Sequence, residues 1–481
     1  MSARVHMASI SPVSTEVWRA ELVREVQSGS RIVTLFGREH GDGHSVAVTA
    51  ILQSASGELA FSRTLVDRVA GYHALTDAIP AFHCFERELH EQRGVALHGH
   101  PWLKPVRFEG GKGQVSMNDY PYYSVEGKDV HEVAVGPIHA GVIEPGSFRF
   151  MCHGERVLHL EIQLGYQHRG VERLLLASDL RKASTLVEAI AGDTSVGHTW
   201  AYASAIERLA GADADADPSR GLLLELERIA MHLATLSGLA ADLGFLQGAT
   251  TYGRLRTTVI NTTMWLCGSR FGRSGVRPGG AAFALTPVAR EKVLTAIKLL
   301  EADLPAIDAR FLSDRTVRHR LGGVGVVSPT LAAELGLVGL AARASGIAID
   351  QRLSVTNPPI EVQGEGTGDC LARTTLRVNE LHASLRWVRA LLAGTPDWER
   401  VRRPIGAFAP SQLVIALVEG WRGELVHCVE TDMAGRVVHY KVQDPSLRNW
   451  MGLAMAVRGN DISDFPICNK SFDLSYCGHD L

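Results

Sequence analysis

LLLELERIAMHLATL, Leu222 to Leu236, is the stretch on which the fold turns. Leu222, Leu226, Ile229, Leu233 and Leu236 recur at three- and four-residue spacing, which sets them on one face of an α-helix. Comparable periods run over Arg290 to Leu304 and Leu371 to Leu392, so the centre of the chain predicts a helical layer. AGADADADPSRG, Ala210 to Gly221, reads as an interhelical loop. Upstream the period shortens, and strands are expected near Glu132 to Val135 and within Phe148 to Leu164. Nearer the start, residues 14–28 predict an amphipathic helix. RIVTLF (Arg31 to Phe36), HSVAVTAIL (His44 to Leu52) and ELAFSRTLV (Glu58 to Val66) predict three strands, because β-branched residues fill them and Gly or Asp turns part them. A second helix is expected over Pro80 to Arg93, with Pro80 at a permitted first-turn position. Gly, Pro and polar residues break the pattern across Glu109 to Asp129. The expected architecture is α+β: a small α/β module at 1–115, a linker at 116–130, and a mainly helical domain with small β-sheets at 131–481.

With 481 residues, 46% of them hydrophobic, the chain can bury more than one core. A formal net charge of -3, from 49 basic and 52 acidic residues, leaves no electrostatic footprint for nucleic acid or an anionic membrane. None of the seven cysteines stands at C-x-x-C spacing, which argues against a local zinc or iron–sulfur cradle and predicts no metal. An odd count without a disulfide framework suggests a reducing compartment. The first residues lack an apolar core after Arg4, so no signal peptide is expected. The apolar stretch Leu331 to Ile349 is interrupted by Glu334 and Arg343, and no transmembrane segment is expected. The expected location is cytoplasmic, on a membrane only through partners.

Several residues carry candidate chemistry. Glu144, in VGPIHAGVIEPGSFRF, follows an apolar run and precedes Pro145 and Gly146. Partial desolvation there favours holding a proton and suits a relay; the plain alternative is a turn-forming surface acid. His139 is either its neighbour or a satisfied core histidine. Arg422, in EGWRGE, offers a fork of donors to a cavity, or else a salt bridge to Glu419 or Glu424. His168 and Glu172 in QHRGVE stand one helical turn apart and read as structural, while His198 and Tyr202, also one turn apart, could line a pocket. In FERELHEQRGVALHGHPWLKPVRF, His100 and Trp102 could dock a surface, but plain packing is favoured. GGVGVV (Gly322 to Val327) and GEGTG (Gly364 to Gly368) are weak phosphate loops, since neither opens a helix in a βαβ unit. NKSFDLSY, Asn469 to Tyr476, alternates apolar and polar residues and predicts an edge strand or an arm over a partner.

Two further stretches give these residues a context. EAIAGDTSVGH (Glu188 to His198) and DPSLRNW (Asp444 to Trp450) resemble the two ligand segments of [NiFe] hydrogenase large subunits. In that family each segment holds the metals with a C-x-x-C pair; here the positions are Ala191 and Thr194, then Ser446 and Asn449. Alanine has no donor, and the others offer hard neutral groups where soft thiolates are required. The N-terminal HPWLKPV run resembles the small peripheral subunit of respiratory complex I. The ordered segments from Val135 to Trp450 are similar to the fold shared by hydrogenase large subunits and the quinone-site subunit of complex I. The fusion of both modules resembles the large subunit of formate-hydrogenlyase-type membrane-bound hydrogenases.

The resemblance implies that Glu144 passes protons to the old metal site, with His139 beside it. It sets Arg422 over that site, although Gly420 and Trp421 replace the Ala and Pro of the family's E-A-P-R-G motif. His198, Tyr202 and Asp444 would line the pocket, and His168 and Glu172 would open a shared helix. The quinone-binding His and Tyr of complex I fall at Ile143 and Gly192. The implied function is that of an oxidoreductase subunit in an energy-converting complex, coupling electron transfer to proton movement without a [NiFe] centre of its own. The implied partners are an iron–sulfur small subunit and antiporter-like membrane subunits. Two alternatives stand beside it: a subunit of an oxidoreductase of the NADH–quinone type, binding a quinone or other small acceptor in a remodelled cavity, and a structural adaptor.

Overall fold

The computed structural model describes residues 1–109, 115–141, 143–212, 218–354, 366–394, 396–399 and 403–481. Parts of the expected linker, of the Ala210 to Gly221 loop and of the GEGTG run lie outside the described residues.

The helical layer comprises Ser195–Leu209, Pro218–Asp242, Leu246–Cys267, Pro287–Ser313 and Cys370–Gly394. Local chemistry starts two of them. Thr286 caps the fourth, its hydroxyl accepting from Ala289 N at 3.2 Å ahead of Pro287, and Asp369 accepts from Ala372 N at 2.7 Å at the head of the fifth. The predicted apolar face of Pro218–Asp242 is buried as expected. Its polar positions Glu225, Arg228 and His232 are buried too. They can be, because each finds a partner across the interface. Ser384 Oγ donates to Glu225 at 2.6 Å, Arg228 Nη1 donates to the Gly420 carbonyl at 2.9 Å, and His232 Nε2 lies 3.1 Å from Glu380. One face in seven-residue arithmetic becomes a helix enclosed all round.

The sheets are small and antiparallel for the most part. Arg31–Glu39, Ser45–Gln53 and Leu59–Asp67 form the N-terminal sheet, with the helix Thr15–Gln27 beside it. Val130–Val135, Ser147–His153 and Arg156–Gln163 form a second, so the strand expected over Phe148 to Leu164 is a hairpin turning at Gly154. The third joins Ser2–His6, Gln412–Glu419, Glu424–Thr431 and Val437–Gln443 in that order. Its first strand comes from the small module and pairs from Ser2 opposite Ala416 to His6 opposite Gln412.

Gln412–Glu419 and Glu424–Thr431 are almost wholly buried, as strands covered on both faces must be. The helix Ser195–Leu209 packs on this sheet, while Val33, Phe36 and Ile51 of the small module share a core with Leu413, Ile415 and Leu417. Arg38 and Arg63 both reach Glu430 at 2.6 Å across that seam. Within the expected linker, Tyr120 is buried, and Tyr123 N donates to Glu161 at 2.5 Å.

The tail departs from expectation. Asn469 to Tyr476 is neither an edge strand nor an arm: Phe465–Phe472 and Tyr476–Asp480 are helices, joined at Asp473 with φ 53°. Phe472, Leu474 and Tyr476 are buried as the alternation implied, but at a helix–turn–helix corner. Asp480 fixes the corner by accepting from Gly165 N and Gln167 N, each at 2.8 Å. Residues His168 and Glu172 do not share a helix either, because the helix Val171–Leu176 starts after His168, behind Gly170 at φ 67°.

Candidate functional site

The two cysteine-free segments meet where the helix Ser195–Leu209 and the helix Ser446–Ala456 begin. Ala191, Thr194, Ser446 and Asn449 are all buried. Thr194 Oγ1 donates to Asp193 at 3.0 Å. Asn449 brackets Val338, accepting from its N–H and donating to its carbonyl, both at 3.1 Å. Ser446 Oγ accepts from Ser475 N at 2.9 Å. The donor set is therefore one methyl group and three neutral polar groups already spent on the fold. A soft metal centre needs thiolates that these residues cannot supply, so the [NiFe] group does not fit.

Arg422 closes the same region. It pairs with Asp193, not with Glu419 or Glu424: Nη1 and Nη2 reach the two Asp193 oxygens at 2.7 Å each, and Nη1 also reaches Thr194 Oγ1 at 3.3 Å. The expected partners are engaged elsewhere, Glu419 with Arg343 at 2.7 Å and Glu424 with Arg31. Trp421 is 2% exposed, donates its indole N–H to the Asp193 carbonyl at 2.9 Å, and lies under the Arg422 guanidinium at 3.9 Å. A bidentate fork stacked on an indole is a rigid arrangement that only arginine makes.

Below this pair lies Glu227, which sequence reasoning missed. Its carboxyl oxygens face Val196 N at 2.7 Å and Gly197 N at 3.1 Å, in the first turn of Ser195–Leu209. Those N–H groups favour the anion, yet complete burial outweighs them and pushes Glu227 up to about 8. It holds a proton at neutral pH. Because the folded value lies above the unfolded one, the native state binds the extra proton, and this stabilisation is complete at low pH and lost as pH rises through about 8. At about 1.4 kcal/mol per pH unit the effect is on the order of 5 kcal/mol across the window. Urea denaturation of the parent should thus lose several kcal/mol between pH 5 and 8.5 relative to Glu227→Gln. A difference between the two proteins that does not change with pH would mean the acid is ionised throughout.

A string of contacts, two of them made by backbone N–H groups, runs from the surface inward. Glu144 is half-buried and lies near Cys477; burial, with this carboxylate's charge beside it, pushes the thiol up to about 11. Cys477 Sγ lies 3.4 Å from Ser475 Oγ. Ser475 N donates to Ser446 Oγ at 2.9 Å, and Ser446 N donates to Asp444 Oδ1 at 2.8 Å. Asp444 Oδ2 meets His198 Nε2 at 3.1 Å, His198 Nδ1 meets His427 Nε2 at 3.2 Å, and His427 Nδ1 meets Tyr440 OH at 2.9 Å. Burial alone would raise Asp444, but the His198 contact and the Arg422 charge hold it below the ordinary carboxylate range. Burial and the neighbouring His198 keep His427 neutral. The tail packs tightly on this string: a Cβ on Gly478 would stand 2.6 Å from Asp444 Cγ.

His139 lies near the entrance, its Nε2 3.3 Å from Tyr476 OH and its ring edge-on to Phe148. Tyr202 is not part of the string; its hydroxyl donates to the Leu180 carbonyl and accepts from Ala183 N at 3.2 Å, pinning that turn. His168 contacts the Asp480 carbonyl at 2.8 Å, and Glu172 accepts from Lys441 Nζ and Val442 N, each at 2.9 Å. Both are structural in these contacts, as expected. Asp193, Glu227, His427, Tyr440 and Cys477 were not singled out from the sequence. His427 carried one signal, a polar residue in the otherwise apolar run Leu425 to Val429.

The two segment starts thus converge on a buried acid–histidine string, with a small α/β module joined to the helical layer by a shared sheet. Residues 242–404 match the family described as the respiratory-chain NADH dehydrogenase 49 kDa subunit. The chain is 31% identical over 372 residues to membrane-bound hydrogenase subunit alpha of Pyrococcus furiosus, covering 71% of this chain and 85% of that protein. It is 26% identical to formate hydrogenlyase subunit 5 of Escherichia coli, covering 94% of this chain and 84% of that one. A chain from the structure of the membrane-bound sulfane sulfur reductase, an archaeal respiratory membrane complex, superposes with a TM-score of 0.68 at 24% identity, over 75% of this chain and all of the other. That likeness concerns the fold. The chain belongs to the family that unites membrane-bound hydrogenase large subunits with the 49 kDa-type subunit of respiratory NADH dehydrogenase, and is a subunit of an oxidoreductase complex.

Proposed function

We propose that this chain is a hydrogenase-like large subunit without a [NiFe] centre, and that it couples electron transfer in its complex to proton movement through Glu144 and the string behind it. The observation that carries the reading is the union of two facts in one place. The four positions matched by resemblance to the family's thiolates hold residues that cannot bind the metals, while Asp444, His198, His427 and Tyr440 stay in side-chain contact beside them.

The region around the two segments supplies what coupling requires. Glu227 carries a proton at neutral pH, Asp444 is held ionised and His427 neutral, so the region contains both proton holders and proton acceptors. A negative charge arriving about 10 Å away, at an effective dielectric near 20, would raise a group's proton affinity by roughly 1.7 kcal/mol, or about one pH unit. Of these groups Glu227, at about 8, titrates nearest neutral pH. The electron would come from iron–sulfur clusters of a small partner subunit, with a quinone or other small acceptor elsewhere in the complex. Antiporter-like membrane subunits would anchor the assembly at the cytoplasmic face. No helix among the described residues is long and apolar enough to cross a membrane, which suits a peripheral seat.

The assembled complex, made in a nickel-replete host, is expected to contain no stoichiometric nickel by elemental analysis. One nickel per chain would overturn the reading. A second reading, that of a non-catalytic adaptor, is favoured by Trp421 and the Arg422–Asp193 pair, which fill space that a substrate would need. Ile143 and Gly192 at the quinone-binding positions weigh against a complex-I-like quinone headgroup site.

A further inference from the structure

A second cavity adjoins the string, with Leu447 beside Ser446 and Trp450 Nε1 donating to the Ser475 carbonyl at 3.3 Å, but is lined by other side chains. Between the small module and the strand Arg156–Gln163 is a cavity of about 820 Å³, within the size range of small-molecule sites. None of Glu144, Asp444, His198 or His427 lines it.

Its polar end is incompletely satisfied. His83 is 6% exposed, and neither ring nitrogen has a hydrogen-bond partner among the described residues. Burial, with the Arg87 charge beside it, pushes His83 down to about 3, so the ring is neutral and presents one donor and one acceptor. A buried orphan of this kind costs about 1–3 kcal/mol unless something binds to it.

The charges at the same end are unbalanced. Arg87 donates to the Lys104 and Pro105 carbonyls, each at 2.7 Å, and Arg458 contacts His159 Nδ1 at 2.9 Å. Neither arginine forms an ion pair among the described residues, and burial lowers the proton affinity of both. The one acid in the lining, Glu161, is already held by Lys104 and by Tyr123 N. Arg87 lies over the Trp102 ring at 4.2 Å and Arg458 is exposed, and the lining sets Arg87, Lys104 and Arg458 against the single carboxylate of Glu161. The remaining wall, which includes Leu158, Ile162, Trp450, Met451 and Met455, is apolar, and its flexible thioethers accommodate an irregular chain.

We propose that this cavity binds one long-chain monocarboxylate. The carboxylate sits at the Arg87–Arg458 end against His83, and the hydrocarbon chain runs along Met451 and Met455. The guanidinium groups supply charge-assisted hydrogen bonds to the head, and each methylene removed from water adds about 0.8 kcal/mol. This assignment is independent of the proton-coupling reading.

The test is calorimetric titration of the full chain with oleate below its micelle concentration, with oleyl alcohol as the uncharged comparison. Saturable binding of one oleate per chain is expected, at least tenfold tighter than the alcohol. Arg458→Glu should weaken oleate at least tenfold and leave the alcohol unchanged. Ala454→Trp, which fills the cavity, should abolish both; if that variant does not fold, Leu158→Trp at the half-open rim serves the same purpose. Equal affinity for acid and alcohol, non-saturable uptake, or undiminished binding to the filled variant would overturn the assignment. So would loss of the site on assembly of the complex, which would make the cavity a seat for a partner subunit.

Discussion

Glu144→Gln is expected to assemble like the parent and to lower proton-coupled turnover of the complex by at least about 10²-fold, the scale of losing a positioned acid–base group. The fold should survive because Glu144 is half-buried and the amide keeps the shape of the carboxylate. What the amide cannot do is gain and lose a proton. The measurement is turnover coupled to proton uptake in the assembled complex, beside a subunit stoichiometry check. Parent-like turnover with intact assembly would remove the relay role and move the adaptor reading to the front. Intermediate loss with an unchanged proton-to-electron ratio would place Glu144 beside the path instead of on it.

The second large effect concerns stability. Glu380 lies at the centre of a buried charge network in the helical layer: Arg343 reaches it at 2.7 Å, His232 at 3.1 Å, Arg352 at 3.6 Å and Arg228 at 3.9 Å. Although burial would raise Glu380, Arg343 and Arg352 hold it well below the ordinary carboxylate range. Glu380→Ala leaves those guanidinium groups enclosed with one carboxylate fewer, a loss on the order of 3–5 kcal/mol. By comparison, Arg436→Ala removes an ion pair whose arginine is 81% exposed, and such surface pairs contribute about 0–1 kcal/mol. Urea denaturation of the two variants should separate them clearly. The pH dependence carries the same sign as any acid with a depressed value. The Glu380 contribution is complete above the ordinary carboxylate range and lost as pH falls below it. Equal midpoints for Glu380→Ala and Arg436→Ala would show that the network contributes nothing measurable.

The opposite slopes of Glu380 and Glu227 make the two acids separable in one protein. Glu380 is stabilising as an anion and fails in acid, whereas Glu227 is stabilising as a neutral acid and fails toward alkaline pH. Both are glutamates in apolar helical surroundings, and what differs is the number of guanidinium groups within reach. Composition cannot reveal that.

Much of the architecture was legible in the residues themselves. The leucine period from Leu222, the β-branched runs at Arg31, His44 and Glu58, and the capped start of the Pro287–Ser313 helix are local signals, and local signals survive folding. The absence of thiolates at Ala191, Thr194, Ser446 and Asn449 was likewise complete in the sequence, since no arrangement of neighbours turns a methyl or an amide into a soft ligand.

Tertiary structure decided which groups meet. Arg422 stands two residues before Glu424 and three after Glu419, yet it pairs with Asp193 from a segment more than two hundred residues away. The alternation in Asn469 to Tyr476 marked Phe472, Leu474 and Tyr476 as buried but not Ser471 and Ser475, because a helix–turn–helix corner, unlike an edge strand, encloses neighbouring residues as well. The small module shares a sheet with the large one through its first strand, since the edge that Ser2–His6 covers is offered by residues near position 412. His427 came within hydrogen-bond distance of His198 only when its strand was laid against the helix of His198. Side-chain type is a property of the sequence, but proton affinity and pairing depend on distance and burial, and those exist only once the chain has closed on itself.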